Sequence, residues 1–130
     1  DIIHPDLATS GGIMETKKIG DYAQEHGISM ALHMAGTPIS TMASVHCAAA
    51  TQNFIALEHH FNKVSYWGDF IDGIPKPIIQ DGHIEVPEGP GLGFELNYDV
   101  VEEHLVPWDK GLFEPTPEWD YVTDHHRLWS

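Results

Sequence analysis

Three residues of acid-base character recur at nearly even spacing: Asp6, His33 and Glu58, separated by 27 and 25 residues. Each closes a short apolar or β-prone run, "DIIH" plus Pro5 before Asp6, "ISMAL" before His33 and "FIAL" before Glu58. An aspartate beside a histidine is the pair that makes a general base. The carboxylate accepts a hydrogen bond from one ring nitrogen, fixes the tautomer, and leaves the other nitrogen able to take a proton. A nearby glutamate adds a second proton-handling group. Taken singly, each residue has a bland explanation: Asp6 after Pro5 as a turn cap, Glu58 as the partner of a cation, His33 as a packed side chain. Their joint position outweighs these, because all three fall at the same end of successive elements.

Those elements follow from punctuation and periodicity. The run 1–4 is stopped by Pro5, and "TSGG" at 9–12 supplies the turn before a helix over 13–25, "IMETKKIGDYAQE". Its spacing places Ile13, Lys17, Ile19, Tyr22 and Ala23 near one stripe, and His26-Gly27 reads as its stop. Residues 28–32 and 54–57 are short continuous apolar runs of the kind buried in a parallel sheet. Between them Pro38 suits the first turn of a helix over 39–50, "ISTMASVHCAAA". Strand, helix, strand, helix, strand is the alternation of an α/β fold with parallel strands. Adjacent parallel strands lie about 4.8 Å apart, and in a β/α barrel the loops at their C-terminal ends converge on the active site.

Beyond residue 60 the character changes, dividing the chain into 1–60 and 61–130. Two alternating runs, His83 to Val86 and Gly93 to Leu96, flank the turn-rich "PEGPGLG" and predict an antiparallel hairpin over 80–97. The tail, with Trp108, Phe113, Pro115, Pro117, Trp119 and Trp129, predicts an irregular arm.

The remaining candidates carry less weight. His59-His60 and His125-His126 are adjacent pairs whose side chains diverge in regular backbone, which argues against metal binding there. His46 and Cys47 lie inside a helix, and Cys47 lacks an activating partner in sequence. The "GPGLG" glycines do not follow a strand and open a helix, so they are turn residues rather than a dinucleotide loop.

Composition narrows the partners. The chain has 130 residues, 42% hydrophobic, enough for a folded core. Six basic against twenty acidic residues give a formal net charge of -14, which repels nucleic acid and anionic membrane surfaces. A single cysteine excludes an internal disulfide and leads to the expectation of a reduced, cytoplasmic setting. No apolar run approaches the roughly 20 residues of a membrane span. The sequence lacks an initiator Met and opens in a strand, from which we expect that it begins inside a longer protein.

Together the stretches "IHPDLATSGGIMETKKIGDYAQEHGI", "ALHMAGTPIS", "NFIALE" and "DGHIEVPEGPGLGFELN" make residues 1–105 resemble the C-terminal part of an enolase-superfamily enzyme. The resemblance is to the mandelate racemase and muconate lactonizing enzyme type, and within it to the mandelate racemase subgroup. It implies a modified TIM barrel, (β/α)7β, of which this chain is strands six to eight, followed by a returning C-terminal segment that joins an α+β capping domain. It further implies that Asp6 and His33 are the Asp-His dyad, with His33 the base, and that Glu58 is the acid that hydrogen-bonds the substrate carboxylate. Enzymes of this type use Mg²⁺, whose ligands from strands three to five would lie in an absent N-terminal portion. The resemblance therefore implies that this chain alone is inactive and partners that portion in an enzyme that commonly assembles into homo-oligomers. The tail is similar to those of sugar-acid dehydratases, which implies elimination of a β-hydroxyl to a 2-keto-3-deoxy sugar acid. Racemisation or epimerisation of a 2-hydroxy acid is the alternative on the same site. A half-barrel retained as a binding module is the non-enzymatic one.

Overall fold

Glycine and proline set the helix boundaries in the computed structural model, which describes residues 1–60 and 63–106. The first strand, β1 (Ile2–Ile3), leads through a turn to α1 (Gly12–Glu25), which starts after Gly11 in the left-handed region at φ 103°. Gly27 ends α1 at φ 68°, and the Gly27 and Ile28 N–H groups donate to the carbonyls of Gln24 and Ala23, a Schellman closure. The next strand is β2 (Ser29–Leu32), followed by α2 (Pro38–Ala49) and β3 (Phe54–Leu57). Pro38 occupies the first turn of α2, and the Thr37 hydroxyl accepts from the Ser40 N–H at 3.4 Å as its cap.

The three strands form one parallel sheet in the order β1-β2-β3. Central β2 is buried as its apolar run predicts, with Met30 and Leu32 fully inaccessible. The same expectation fails for β3. As an outer strand of this sheet it leaves Ile55 54% exposed, and outer β1 leaves Ile2 60% exposed.

The stripe predicted on α1 holds at Ala23 but not at its large apolar positions. Ile13, Met14, Ile19 and Tyr22 are exposed, while Thr16, Gly20 and Ala23 are buried. Small residues face inward because the helix lies close to its neighbours. A Cβ on Gly20 would stand 2.7 Å from Thr51 Cγ2 and 3.2 Å from Met30 Sδ. Thr51 cannot swing aside freely, since its hydroxyl donates to the Cys47 carbonyl at 2.7 Å. Helix propensity alone makes Gly20→Ala stabilising by about 1 kcal/mol. The clash reverses the sign, and we expect a net loss of about 1–3 kcal/mol, measured as a lower urea midpoint.

The predicted hairpin is not formed as read. Gly93 to Leu96 contributes β5 (Glu95–Leu96), but its antiparallel partner is β4 (Ile71–Asp72). His83 makes only an isolated bridge to Gln80, and residues 84–86 are not in a strand. A 3₁₀ turn at Trp67–Phe70 precedes β4, and α3 (Tyr98–Glu103), capped by Asn97, follows β5. The 3₁₀ turn and β4 pack on α2, where Met42 and Val45 join Trp67, Ile71 and Ile78 in one buried cluster. The predicted aromatic arm and His125-His126 lie outside the described residues. No helix among the described residues is long and apolar enough to cross a membrane.

Candidate active site

Parallel register decides which side chains meet. Leu32 pairs with Leu57, and Asp6 and His33 form a parallel bridge just beyond the strands. The His33 N–H donates to the Pro5 carbonyl at 3.0 Å, and the Glu58 N–H donates to the Leu32 carbonyl at 2.9 Å. Asp6, His33 and Glu58 are thus neighbours in successive strands at one sheet edge, as their sequence spacing predicts.

The side chains complete the arrangement. His33 Nδ1 lies 2.7 Å from Asp6 Oδ2. The carboxylate can only accept, so Nδ1 donates and Nε2 is left to take a proton. The other oxygen, Asp6 Oδ1, accepts from the Ala8 N–H at 2.8 Å, which holds the carboxylate plane while capping the turn. Asp6 therefore caps the turn and holds the His33 ring with the same carboxylate. His33 Nε2 faces Glu58 Oε2 at 3.6 Å.

Two histidines that the sequence reading passed over join this group. His60 Nε2 lies 2.7 Å from Glu58 Oε1, and His4 Nε2 lies 3.2 Å from Glu58 Oε2. His4 Nδ1 also donates to the Ala31 carbonyl at 3.0 Å. The signal for both is the period of extended backbone: His4 precedes Asp6 by two residues and His60 follows Glu58 by two, so each projects to its partner's side. The adjacent His59 does diverge, packing edge-on against Trp67 at 4.8 Å between ring centroids. Burial lowers the His59 pKa, and the charge of His60 adds to that.

Imidazoles surround Glu58 in the structure. Partial burial pushes its pKa up, but hydrogen bonds from His60, the Met34 N–H and His4, together with the His60 charge, outweigh burial and hold it below the usual carboxylate range. Glu58 is therefore an ionised acceptor in this structure.

Cys47 and His46 stand apart. Cys47 is buried in α2, its thiol directed at the Ile13 carbonyl at 3.8 Å, and burial pushes its pKa up, which disfavours the nucleophilic thiolate. His46 Nε2 lies 3.2 Å from the Leu92 carbonyl and pins the glycine-rich loop to α2. That loop holds no helix N-terminus.

One nitrogen each from His33 and His60 and one oxygen from Glu58 all lie within 4.8 Å of one another, a group able to hold a metal ion. It does not fit Mg²⁺, which demands an octahedron of oxygens at about 2.0–2.1 Å.

Residues 1–100 match the family model described as enolase C-terminal domain-like. A D-xylonate dehydratase of Haloferax volcanii is 47% identical over 106 residues, covering 82% of this chain and 25% of that protein. An arabinonate dehydratase of Saccharolobus solfataricus is 37% identical over 106 residues, covering 80% and 27%. A mandelate racemase/muconate lactonizing enzyme-like protein of Rubrobacter xylanophilus superposes with a TM-score of 0.77 at 40% identity, covering 79% of this chain and 26% of that one. The chain spans about a quarter of the length of each of these relatives.

Proposed function

The chain belongs to the enolase C-terminal domain-like family, and from that premise we propose that it carries the base side of an acid-sugar dehydratase active site. In this reading residues 1–60 are the last strands and helices of a (β/α)7β barrel, and 61–130 return to a capping domain. An N-terminal portion of the same enzyme supplies the remaining strands and the ligands of Mg²⁺. The observation that carries the proposal is the Asp6–His33 contact at 2.7 Å, with Nε2 turned toward Glu58.

The chemistry sets the requirements. A proton α to a carboxylate is weakly acidic, because its removal places a second negative charge on a group already charged. His33 Nε2 takes that proton while Asp6 keeps the ring aligned and balances the imidazolium that forms. The β-hydroxyl leaves with a proton returned by His33, as water, and the resulting enol tautomerises to a 2-keto-3-deoxy acid. The substrate carboxylate is received beside Glu58. An ionised Glu58 would repel it, so the proton that it needs is shared from His60 or His4, both within hydrogen-bonding distance of its oxygens.

A panel of pentonates and hexonates offered to the complete enzyme tests this reading. At least one should lose one water and give a 2-keto product. Inversion at C2 without loss of water would transfer the site to the epimerase reading, and an enzyme inert to every sugar acid would exclude the dehydratase.

A further inference from the structure

We propose that His33, Glu58 and His60 form a binding site for a divalent transition ion of the zinc class, and that its occupancy switches the base off. The donor set favours such an ion. Two imidazole nitrogens and one carboxylate are borderline ligands that suit Zn²⁺ and Co²⁺, and three protein ligands with an open fourth position are a common zinc arrangement.

The distances agree. Zinc bonds of about 2.0–2.2 Å in a tetrahedron put ligand atoms about 3.3 Å apart. Glu58 Oε1 and His60 Nε2 are 2.7 Å apart, Glu58 Oε2 and His33 Nε2 are 3.6 Å apart, and the three ligand atoms all lie within 4.8 Å. These two contacts use different Glu58 oxygens, so seating an ion on one of them takes side-chain shifts of up to about 1.5 Å, closing the longest separation from within 4.8 Å to about 3.3 Å. In this chain the three side chains are 32% to 54% exposed.

A second observation points the same way. Metal-bound histidines almost always donate their other ring N–H to a carboxylate or a carbonyl, and His33 already does so to Asp6 at 2.7 Å. His4, anchored through Nδ1 on the Ala31 carbonyl, aims Nε2 at the same Glu58 and is placed to replace the water.

The consequence follows from the lone pair. An ion on His33 Nε2 occupies the electron pair that abstraction of the α-proton needs, and it takes Glu58 from the substrate carboxylate. This inhibitory effect rests on the proposed role of His33; the binding itself does not.

The test is titration of the complete enzyme, saturated with Mg²⁺, with Zn²⁺ followed by equilibrium dialysis and with Co²⁺ followed by its visible absorption. We expect one ion per chain, the intense bands of four-coordinate Co²⁺, and loss of turnover in proportion to occupancy. His60→Ala should weaken binding at least as much as the about 10–100-fold usual for an outer partner, and Asp6→Asn should weaken it within that range. Circular dichroism confirms that both variants are folded. Absence of binding, or binding unchanged in His60→Ala, overturns the site even if sugar acids are dehydrated. Binding that follows these variants while no sugar acid reacts supports the site and removes the dehydratase reading. Full turnover at full occupancy overturns the switch.

Discussion

His33→Asn in the complete enzyme should lower kcat by about 10²–10⁴-fold, the range that a positioned general base contributes. Asparagine keeps a polar side chain that reaches Asp6, so the 2.7 Å contact has a successor, but nothing remains at the position of Nε2 to take a proton. The loss should fall on kcat, with KM little changed, because the ring serves the transition state more than the bound acid. Exchange of the α-hydrogen with solvent deuterium should stop as well. This separates a failure to abstract the proton from a failure to expel the hydroxyl. Near wild-type turnover would remove His33 from its role.

Asp6→Asn should cost about 10–100-fold in kcat, as expected when the partner that orients a working histidine is neutralised. The amide can still accept from the Ala8 N–H, as Asp6 Oδ1 does at 2.8 Å, so the turn should survive. What changes is the ring. An amide NH₂ facing Nδ1 favours the tautomer with its proton on Nε2, and that tautomer cannot act as a base. The imidazolium formed during reaction also loses its counter-charge. The split between the constants gives the diagnosis, since a ring held in the wrong tautomer should lower kcat while leaving KM little changed. A variant with full activity would mean that Asp6 serves the turn alone.

The parts of this architecture that were legible in the sequence are those written by local chemistry. Pro5, Gly27 and Pro38 mark element ends wherever they occur, so the strand-helix alternation could be read. Three polar residues at three strand ends then followed from spacing. The misreadings have physical causes as well. The stripe on α1 holds only at Ala23, because a helix lying close to Met30 and Thr51 buries its small residues, Thr16 and Gly20 with it, and turns Ile13, Ile19 and Tyr22 outward. Glu95–Leu96 was given its nearest alternating run as partner, but its partner is Ile71–Asp72, and pairing across that separation leaves no local trace. His4 carries no signal of its own in the sequence, and His60 is masked by its adjacency to His59. Its relation to Glu58, two residues earlier in extended backbone, was the informative one.

α2 is gripped on more than one face, although Ile39 stays 37% exposed. Pro38, Thr41, Met42, Ser44, Val45 and Cys47 are all buried. Cys47 reaches the Ile13 carbonyl of α1, while Met42 and Val45 belong to the cluster built with Trp67, Ile71 and Ile78. The Trp67 indole N–H donates to the Gly36 carbonyl at 3.0 Å, in the loop that follows His33. A helix constrained from both sides has little mutational latitude, since a substitution that suits one neighbour is screened by the other. The C-terminal segment is therefore not a detachable appendage. It and the wall that carries the base must drift together, and a graft that exchanged one without the other would meet its misfit first at Met42 and Val45.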